Sequence, residues 1–217
     1  MKIAVLGTGM VGDAIGSRLI ELGHEVAMGS RTNNNEKAMA FVAKHNGKAT
    51  ARTFADAAAF GEIIFNCTHG VASLEVLKTA GEQNLNGKIL IDVANPLDFS
   101  KGMPPSLAIA NTNSLGEEIQ QAFPQAKVVK ALNTMWCGLM VNPGMINGGD
   151  HHTFISGNDA NAKETVKAIL MSFGWAAKNI MDLGDISAAR GTEMYLPLWL
   201  RIWGATNNGA FNIKIVS

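Results

Sequence analysis

The sequence predicts an α/β fold of the Rossmann type: a doubly wound, mainly parallel sheet with a small C-terminal α/β extension. Three observations carry that expectation. Short apolar runs recur along the chain, among them Ile3-Ala4-Val5-Leu6, Ile63-Ile64-Phe65 and Ile89-Leu90-Ile91. Apolar residues at helical spacing follow them, as in Val11, Ala14, Ile15, Leu19 and Leu22. A glycine-rich turn, Gly7-Thr8-Gly9-Met10-Val11-Gly12, joins the first run to the first helix. Apolar runs without alternation belong to strands covered on both faces, the situation of a parallel sheet between two helical layers.

The elements follow in order. Residues 3–6 are the first strand, and a helix over 11–22 stops at Gly23. Residues 24–28 form the second strand. Asn33 or Asn34 caps a helix with Ala38, Phe41, Val42 and His45 on one side, ended by Gly47. A short strand at 48–51, an Ala-rich helix at 53–60 and a buried strand at 62–67 come next. Ser73 caps a helix carrying Leu74, Leu77 and Ala80, stopped at Gly81. Residues 88–93 are a buried strand closed by Asn95-Pro96. Ser114 and Glu117 make a capping box for a helix to Ala122, and 128–132 is a further strand. Residues 133–150, rich in Gly and Asn, read as a long loop. Beyond it lie a strand at 153–156 and a helix with Val166, Ile169, Leu170 and Phe173 inward, stopped by Gly174. A strand at 176–181 and a long helix through Trp203 follow. Phe211, Ile213 and Ile215 alternate, which predicts a terminal strand. Residues 1–150 read as the main domain and 151–217 as an extension packed on the same core.

Composition narrows the function. The chain has 217 residues, 47% hydrophobic and 17% charged, as a globular protein does. Its 18 basic and 18 acidic residues balance, which argues against a nucleic-acid partner and against a basic membrane-binding patch. No apolar run nears the ~18 residues of a membrane span. Four apolar residues ahead of Gly7 are fewer than the ~7–15 of a secretory leader. Cys67 and Cys137 stand far apart in sequence, in no metal spacing, and are expected as reduced thiols of a cytoplasmic protein.

The glycine turn carries the first functional expectation. Gly7 permits a tight turn, Gly9 leaves room for a pyrophosphate against the backbone, and Gly12 lets the helix pack close to the sheet. The helix N-terminus then offers free N–H groups to phosphates. Residues 1–150 are therefore expected to bind a dinucleotide. The alternative is a tight strand–helix turn that binds nothing. An NAD site usually has a carboxylate about 20 residues on, accepting from the ribose hydroxyls. That window reads Met28-Gly29-Ser30-Arg31-Thr32, with a guanidinium and two hydroxyls instead. Arg presents a planar fork of donors that suits a 2′-phosphate, so Ser30, Arg31 and Thr32 predict NADP(H) rather than NAD.

The remaining strand ends should line the nicotinamide site. They offer Cys67-Thr68-His69, Ala94-Asn95-Pro96-Leu97 and Asn133-Thr134. None holds a nucleophile–base pair. His69 is the one catalytic candidate, since an imidazole can donate a proton; a loop histidine beside the cofactor is the simpler reading. Cys67 reads as a core thiol. His151-His152 is not expected to bind metal, because adjacent side chains point apart and no third ligand has motif spacing.

Several segments together resemble a known family. They are GTGMVGDAIGSRLIELGHEVAMGSRT, GKILIDVANPLDF, FPQAKVVKALNTMW, MDLGDISAARGTEMYLPLWLRIW and GAFNIKIV. The chain is similar over nearly its whole length to the coenzyme F-420-dependent NADP oxidoreductases. It also resembles the cytosolic oxidoreductase domain of the six-transmembrane epithelial antigen metalloreductases. With no membrane portion following, membrane metalloreduction is not expected. The resemblance implies a Rossmann domain with a smaller C-terminal part. It implies a pyrophosphate loop at Gly7, Thr8, Gly9, Met10, Val11 and Gly12. It puts Thr68-His69 beside the nicotinamide, and Asn95-Pro96 and the Thr134 region at the cleft where a second ring would stack. Cys67, Thr68, His69, Ala94, Asn95 and Pro96 are accordingly expected to contact the cofactor, and Leu97, Asn133, Thr134, Leu196 and Pro197 the acceptor. Two departures fall where the acceptor would bind: Thr68-His69 differs from a Pro-aromatic ending, and Asn133 stands in place of a histidine.

The expected activity is NADPH-dependent hydride transfer to coenzyme F-420 or a flavin-like acceptor, a small molecule or ring cofactor. Reduction of an imine or carbonyl with His69 as proton donor, and a non-catalytic NADP-sensing domain, stay open. The apolar residues from Met194 to Ile215, running almost all round the last helix, predict deep burial of that helix and a homodimer through it.

Overall fold

A computed structural model of the protein describes residues 1–216. In chain order the strands are β1 (Lys2–Leu6), β2 (Glu25–Ser30), β3 (Ala49–Thr53), β4 (Ile63–Asn66), β5 (Ile89–Asp92), β6 (Leu97–Asp98), β7 (Ser106–Leu107), β8 (Lys127–Ala131), β9 (Thr153–Gly157) and β10 (Ile180–Asp182). The helices are α1 (Met10–Glu21), α2 (Glu36–Lys44), α3 (Phe54–Phe60), α4 (Ser73–Ala80), α5 (Glu82–Leu85), α6 (Leu115–Ala122), α7 (Cys137–Val141), α8 (Ala160–Ser172), α9 (Ala189–Met194) and α10 (Leu196–Thr206).

Eight strands form one sheet in the order β10-β9-β8-β5-β4-β1-β2-β3. Every neighbouring pair is parallel except β8 with β9. The chain leaves β1 toward β2 and β3, then crosses back to β4 and travels the other way. A crevice therefore opens at the carboxyl ends of β1 and β4, the place where such sheets take ligands. Both faces are covered. Ile3 and Val5 pack with Ile15, Leu19, Phe41, Val166 and Leu170 on one side. Ala4 and Leu6 pack with Phe54, Ile64, Leu77, Leu90 and Ile119 on the other. Alternate residues of one strand reach opposite cores, which is why the strands read as unbroken apolar runs.

The doubly wound, mainly parallel sheet agrees with the sequence reading, and several local expectations are corrected. Asn35, not Asn33 or Asn34, caps α2: its Oδ1 accepts from the N–H groups of Lys37 and Ala38, both at 3.1 Å. Asn33 and Asn34 sit in the turn ahead of it. Ser73 lies within the first turn of α4 and caps nothing; its hydroxyl serves a buried network. Residues 133–150 hold α7 and two single 3₁₀ turns. The expected strand at 176–181 starts as a 3₁₀ turn, Ala177–Asn179, and β10 begins only at Ile180.

The last helix is two. α9 ends at Met194 and α10 begins at Leu196. Pro197 lacks an N–H, and its ring crowds the carbonyl four residues back, so the helix restarts there. Within the chain α10 buries only Leu196, while Leu198 and Trp203 are 56% and 41% exposed. Within this one chain the helix is not deeply buried: a stack of Trp203 on Trp199 on Phe211 covers one side, and the other faces out. The tail forms no strand. It is tied at separate points, His152 N–H to the Ile213 carbonyl (2.9 Å) and Ile215 N–H to His152 Nδ1 (3.2 Å), which set no ladder.

Losing an N-cap typically costs about 1 kcal/mol. Asn35→Ala is expected to lower unfolding stability by that amount in denaturant titration, while Asn34→Ala stays within ~0.5 kcal/mol of the parent. Equal losses for both would move the cap.

Candidate functional site

The turn between β1 and α1 is built on close backbone approach. Gly7 has φ +118°, and its N–H donates to the Gly29 carbonyl at 3.0 Å, tying the turn to β2. A Cβ at Gly12 would collide with the Gly7 carbonyl, so α1 can start there only with glycine. Above Gly9 nothing lies within 4 Å. No side chain caps α1. Its first N–H groups are free, and the first backbone bond closes from Asp13 to the Gly9 carbonyl at 2.9 Å. Open space over unpaired N–H groups at a helix start is a place for an anion.

At the end of β2, Ser30 is buried, and its hydroxyl donates to the Thr32 carbonyl. Ser30 thus shapes the turn, leaving Arg31 and Thr32 exposed beyond it. Among the described residues Arg31 makes no hydrogen bond or ion pair. Residues 28–32 contain no carboxylate to neutralise it. A free guanidinium beside an anion-binding turn fits a second anionic group on the same ligand.

The ends of β4, β5 and β8 form the floor of the crevice. Cys67 is half-buried below Gly7, and a Cβ on Gly7 would meet its carbonyl. Burial pushes the Cys67 thiol far up, with the Asp92 charge adding to it, so it stays protonated. Thr68 Oγ1 donates to Asn66 Oδ1 at 2.7 Å, and His69 is exposed at the start of a 3₁₀ turn, Gly70–Ala72. Across from them, Asn95 Nδ2 donates to the Asn133 carbonyl (2.8 Å) and Asn133 Nδ2 to Asn95 Oδ1 (2.9 Å), locking the ends of β5 and β8 together. Ala94, Pro96 and Thr134 are buried, and Thr134 Oγ1 has no partner among the described residues. Leu97 opens β6, which pairs with β7 away from the main sheet. Leu196 is buried and Pro197 half-buried at the start of α10. The floor holds amides and hydroxyls bonded to one another and presents one exposed imidazole, His69. It can orient a flat ligand; it has no nucleophile–base pair.

Sequence reasoning missed three charged residues under this floor. Lys130, Asp92 and Glu193 are 1%, 0% and 1% exposed. Lys130 Nζ donates to Asp92 Oδ2 at 2.8 Å, to Glu193 Oε1 at 2.7 Å and to the Ala94 carbonyl. Burial pushes Lys130 down, but the two carboxylates outweigh it and hold the ammonium above the ordinary lysine range. Burial pushes the Glu193 carboxyl up against the pull of Lys130. The signal was present: Asp92 and Lys130 interrupt two apolar strands and are direct partners in the β5–β8 register. Complementary charges at matching positions of buried strands mark a pair, since neither is tolerated alone.

A pocket of about 440 Å³ elsewhere, lined by Asp13, Ser17, Arg18, Glu21, Lys44 and Asn142, is not this site. Its charges already pair, Arg18 with Glu21 and Lys44 with Asp13, each at 3.1 Å. Among the described residues no cluster of three or more His, Cys, Asp or Glu could hold a metal, and no helix is long and apolar enough to cross a membrane. His151 is occupied structurally, with Nε2 on the Pro143 carbonyl and Nδ1 facing the Asn212 amide.

Over residues 2–96 the chain matches the family described as NADP oxidoreductase, coenzyme F420-dependent. It is 50% identical to a proposed F420-dependent NADP reductase from Arthrobacter sp. FB24. That crystal structure superposes with a TM-score of 0.95, covering 100% of each chain. Metalloreductase STEAP3 of Rattus norvegicus is 28% identical over 204 residues, which are 91% of this chain and 38% of the relative. The chain thus spans well under half the length of that relative. An imine reductase from Streptomyces aurantiacus, 20% identical, superposes with a TM-score of 0.64 over 95% of this chain and 63% of the other; that likeness is one of fold alone.

Proposed function

The chain belongs to the family of coenzyme F420-dependent NADP oxidoreductases, and from that premise we propose that it moves a hydride between NADP(H) and a deazaflavin or flavin-like ring. The observation that carries this reading is the unpaired Arg31 standing beside a β1–α1 turn with open space above Gly9. In it, Gly7, Thr8, Gly9, Met10, Val11 and Gly12 bind the pyrophosphate through backbone N–H groups, and Arg31 with Thr32 binds the 2′-phosphate. Ser30 holds the turn that aims them. Cys67, Thr68, His69, Ala94, Asn95 and Pro96 flank the nicotinamide. Leu97, Asn133, Thr134 and Pro197 face the acceptor, with Leu196 anchoring the helix that carries Pro197.

NADPH, when bound, supplies the hydride. The protein's task is to hold two flat rings about 3–3.5 Å apart and keep water out. The interlocked Asn95–Asn133 pair and the bonded Thr68 hydroxyl suit that task, because they fix the floor without offering a proton. The exposed apolar face of α10 supports a homodimer through Leu198, Trp203 and their neighbours, close to the acceptor side.

Three outcomes test these assignments. Mixed with NADPH and a panel of deazaflavins, flavins and imines, the protein is expected to bleach the near-ultraviolet NADPH band with a ring acceptor. Turnover with imines alone would replace the acceptor assignment, and binding without turnover on any acceptor would indicate a sensor. Charge-assisted hydrogen bonds contribute ~1.5–3 kcal/mol, so Arg31→Ala should weaken NADPH binding by about ten- to a hundredfold and leave NADH nearly unchanged. Equal losses for both would remove Arg31 from the 2′-phosphate site. Light scattering at micromolar concentration should return twice the 23.0 kDa chain mass. Trp203→Glu should halve it; a dimer indifferent to that change lies on another face.

A further inference from the structure

The buried charges beneath the crevice form one connected system. Lys130 Nζ has three hydrogens and spends all of them, on Asp92, Glu193 and the Ala94 carbonyl. Asp92 Oδ1 then accepts from Asn66 Nδ2 at 2.8 Å and from the Ala94 N–H at 3.2 Å. Asn66 Oδ1 accepts from Thr68 Oγ1 at 2.7 Å and from the Thr68 N–H at 3.4 Å, and Ser73 Oγ lies 2.9 Å from Thr68 Oγ1. On the other side, Glu193 accepts from the N–H groups of Leu115 (2.8 Å) and Gly116 (3.1 Å) at the start of α6. Two carboxylates against one ammonium leave one negative charge in excess. The first N–H groups of α6 supply the compensating partial charge.

A cluster of apolar residues would stabilise the fold as well as this one does, since desolvating three charges costs about as much as their attraction returns. Apolar residues would not, however, hold the N–H groups of Thr68 and Ala94 in fixed directions. Those two residues directly precede His69 and Asn95 on the crevice floor. Glu193, two residues before Tyr195, ties the same lysine to the helices that lead into Leu196 and Pro197. The system cannot pass protons from end to end, because the Asn66 amide interrupts it between Ser73 and Asp92. Lys130, Asp92 and Glu193 themselves meet no solvent.

We propose that Lys130, Asp92 and Glu193 are positioning residues that hold the nicotinamide-side loops, at Thr68 and Ala94, and the acceptor-side helices, at Glu193, in one rigid arrangement for hydride transfer. The role in transfer rests on the oxidoreductase reading; the rigidity does not.

Glu193→Gln removes one charge with little change of shape, and three readouts follow. In the unliganded protein, hydrogen exchange at the Thr68 and Ala94 amides, both bonded to side chains of the system, should speed up about tenfold or more. NADPH affinity, set at the separate β1–α1 turn and Arg31, should stay within about twofold. Single-turnover hydride transfer at saturating NADPH should fall about ten- to a hundredfold, the scale of a small misplacement of reacting groups. Leu170→Ala, a core truncation on the opposite face of the sheet, should leave all three readouts in place despite its stability loss. Should Glu193→Gln fail to fold, Lys130→Arg keeps the charge, displaces its donors and is read the same way. Unchanged exchange at Thr68 and Ala94, or an equal loss of transfer rate in Leu170→Ala, overturns the proposal. A parent protein that binds no NADPH would instead fail the functional reading, and the exchange measurement would still decide the rigidity.

Discussion

An ammonium group with no access to water dictates what surrounds it. Stripping Lys130 of solvent costs several kcal/mol, recovered only if every hydrogen finds a well-placed acceptor. Each acceptor constrains a different part of the molecule. Asp92 fixes how β5 lies against β8, because the pair must stand opposite in the ladder. The Ala94 carbonyl fixes the turn that leaves β5. Glu193 brings α9 onto the start of α6, where Arg190 reinforces the contact by pairing with Glu117. The strand ends and the C-terminal helices are thereby set relative to one another by one buried point.

The two halves of the crevice differ in kind. On the β1–β2 side the backbone itself is the binding surface, with free N–H groups, an open space and an exposed guanidinium waiting for anions. On the β4–β5–β8 side nearly every polar group is already committed to another, as the Asn95–Asn133 exchange illustrates. A surface of the first kind captures charged phosphates and tolerates adjustment. A surface of the second kind keeps its shape when a flat ring is laid on it. The hydride transfer we propose would use that division: affinity at one end, geometry at the other.

Much of this was legible in the residues. The glycine turn announces itself because Gly7 and Gly12 answer to backbone clashes that no other residue survives, and the unbroken apolar runs follow from a sheet covered on both faces. Other features left weaker traces. Asn33, Asn34 and Asn35 are all competent caps, and only the path of the chain out of β2 selects the third. α7 spans five residues, too few to show a period. The apolar character of α10 reads as burial in a sequence, whereas one chain leaves that face uncovered. Asp92 and Lys130 could have been paired from their positions in neighbouring strands. Glu193 could not, because its partner lies 63 residues away, on an element whose docking no local pattern encodes.

The central claim is that a dinucleotide 2′-phosphate and pyrophosphate lie across the carboxyl ends of β1 and β2. A crystal structure of the complex with NADP⁺ tests it most directly. The account predicts pyrophosphate oxygens within hydrogen-bond distance, about 2.7–3.2 Å, of the N–H groups that open α1, above Gly9, and the 2′-phosphate against Arg31. A ligand bound elsewhere, or a 2′-phosphate turned away from Arg31, would contradict it.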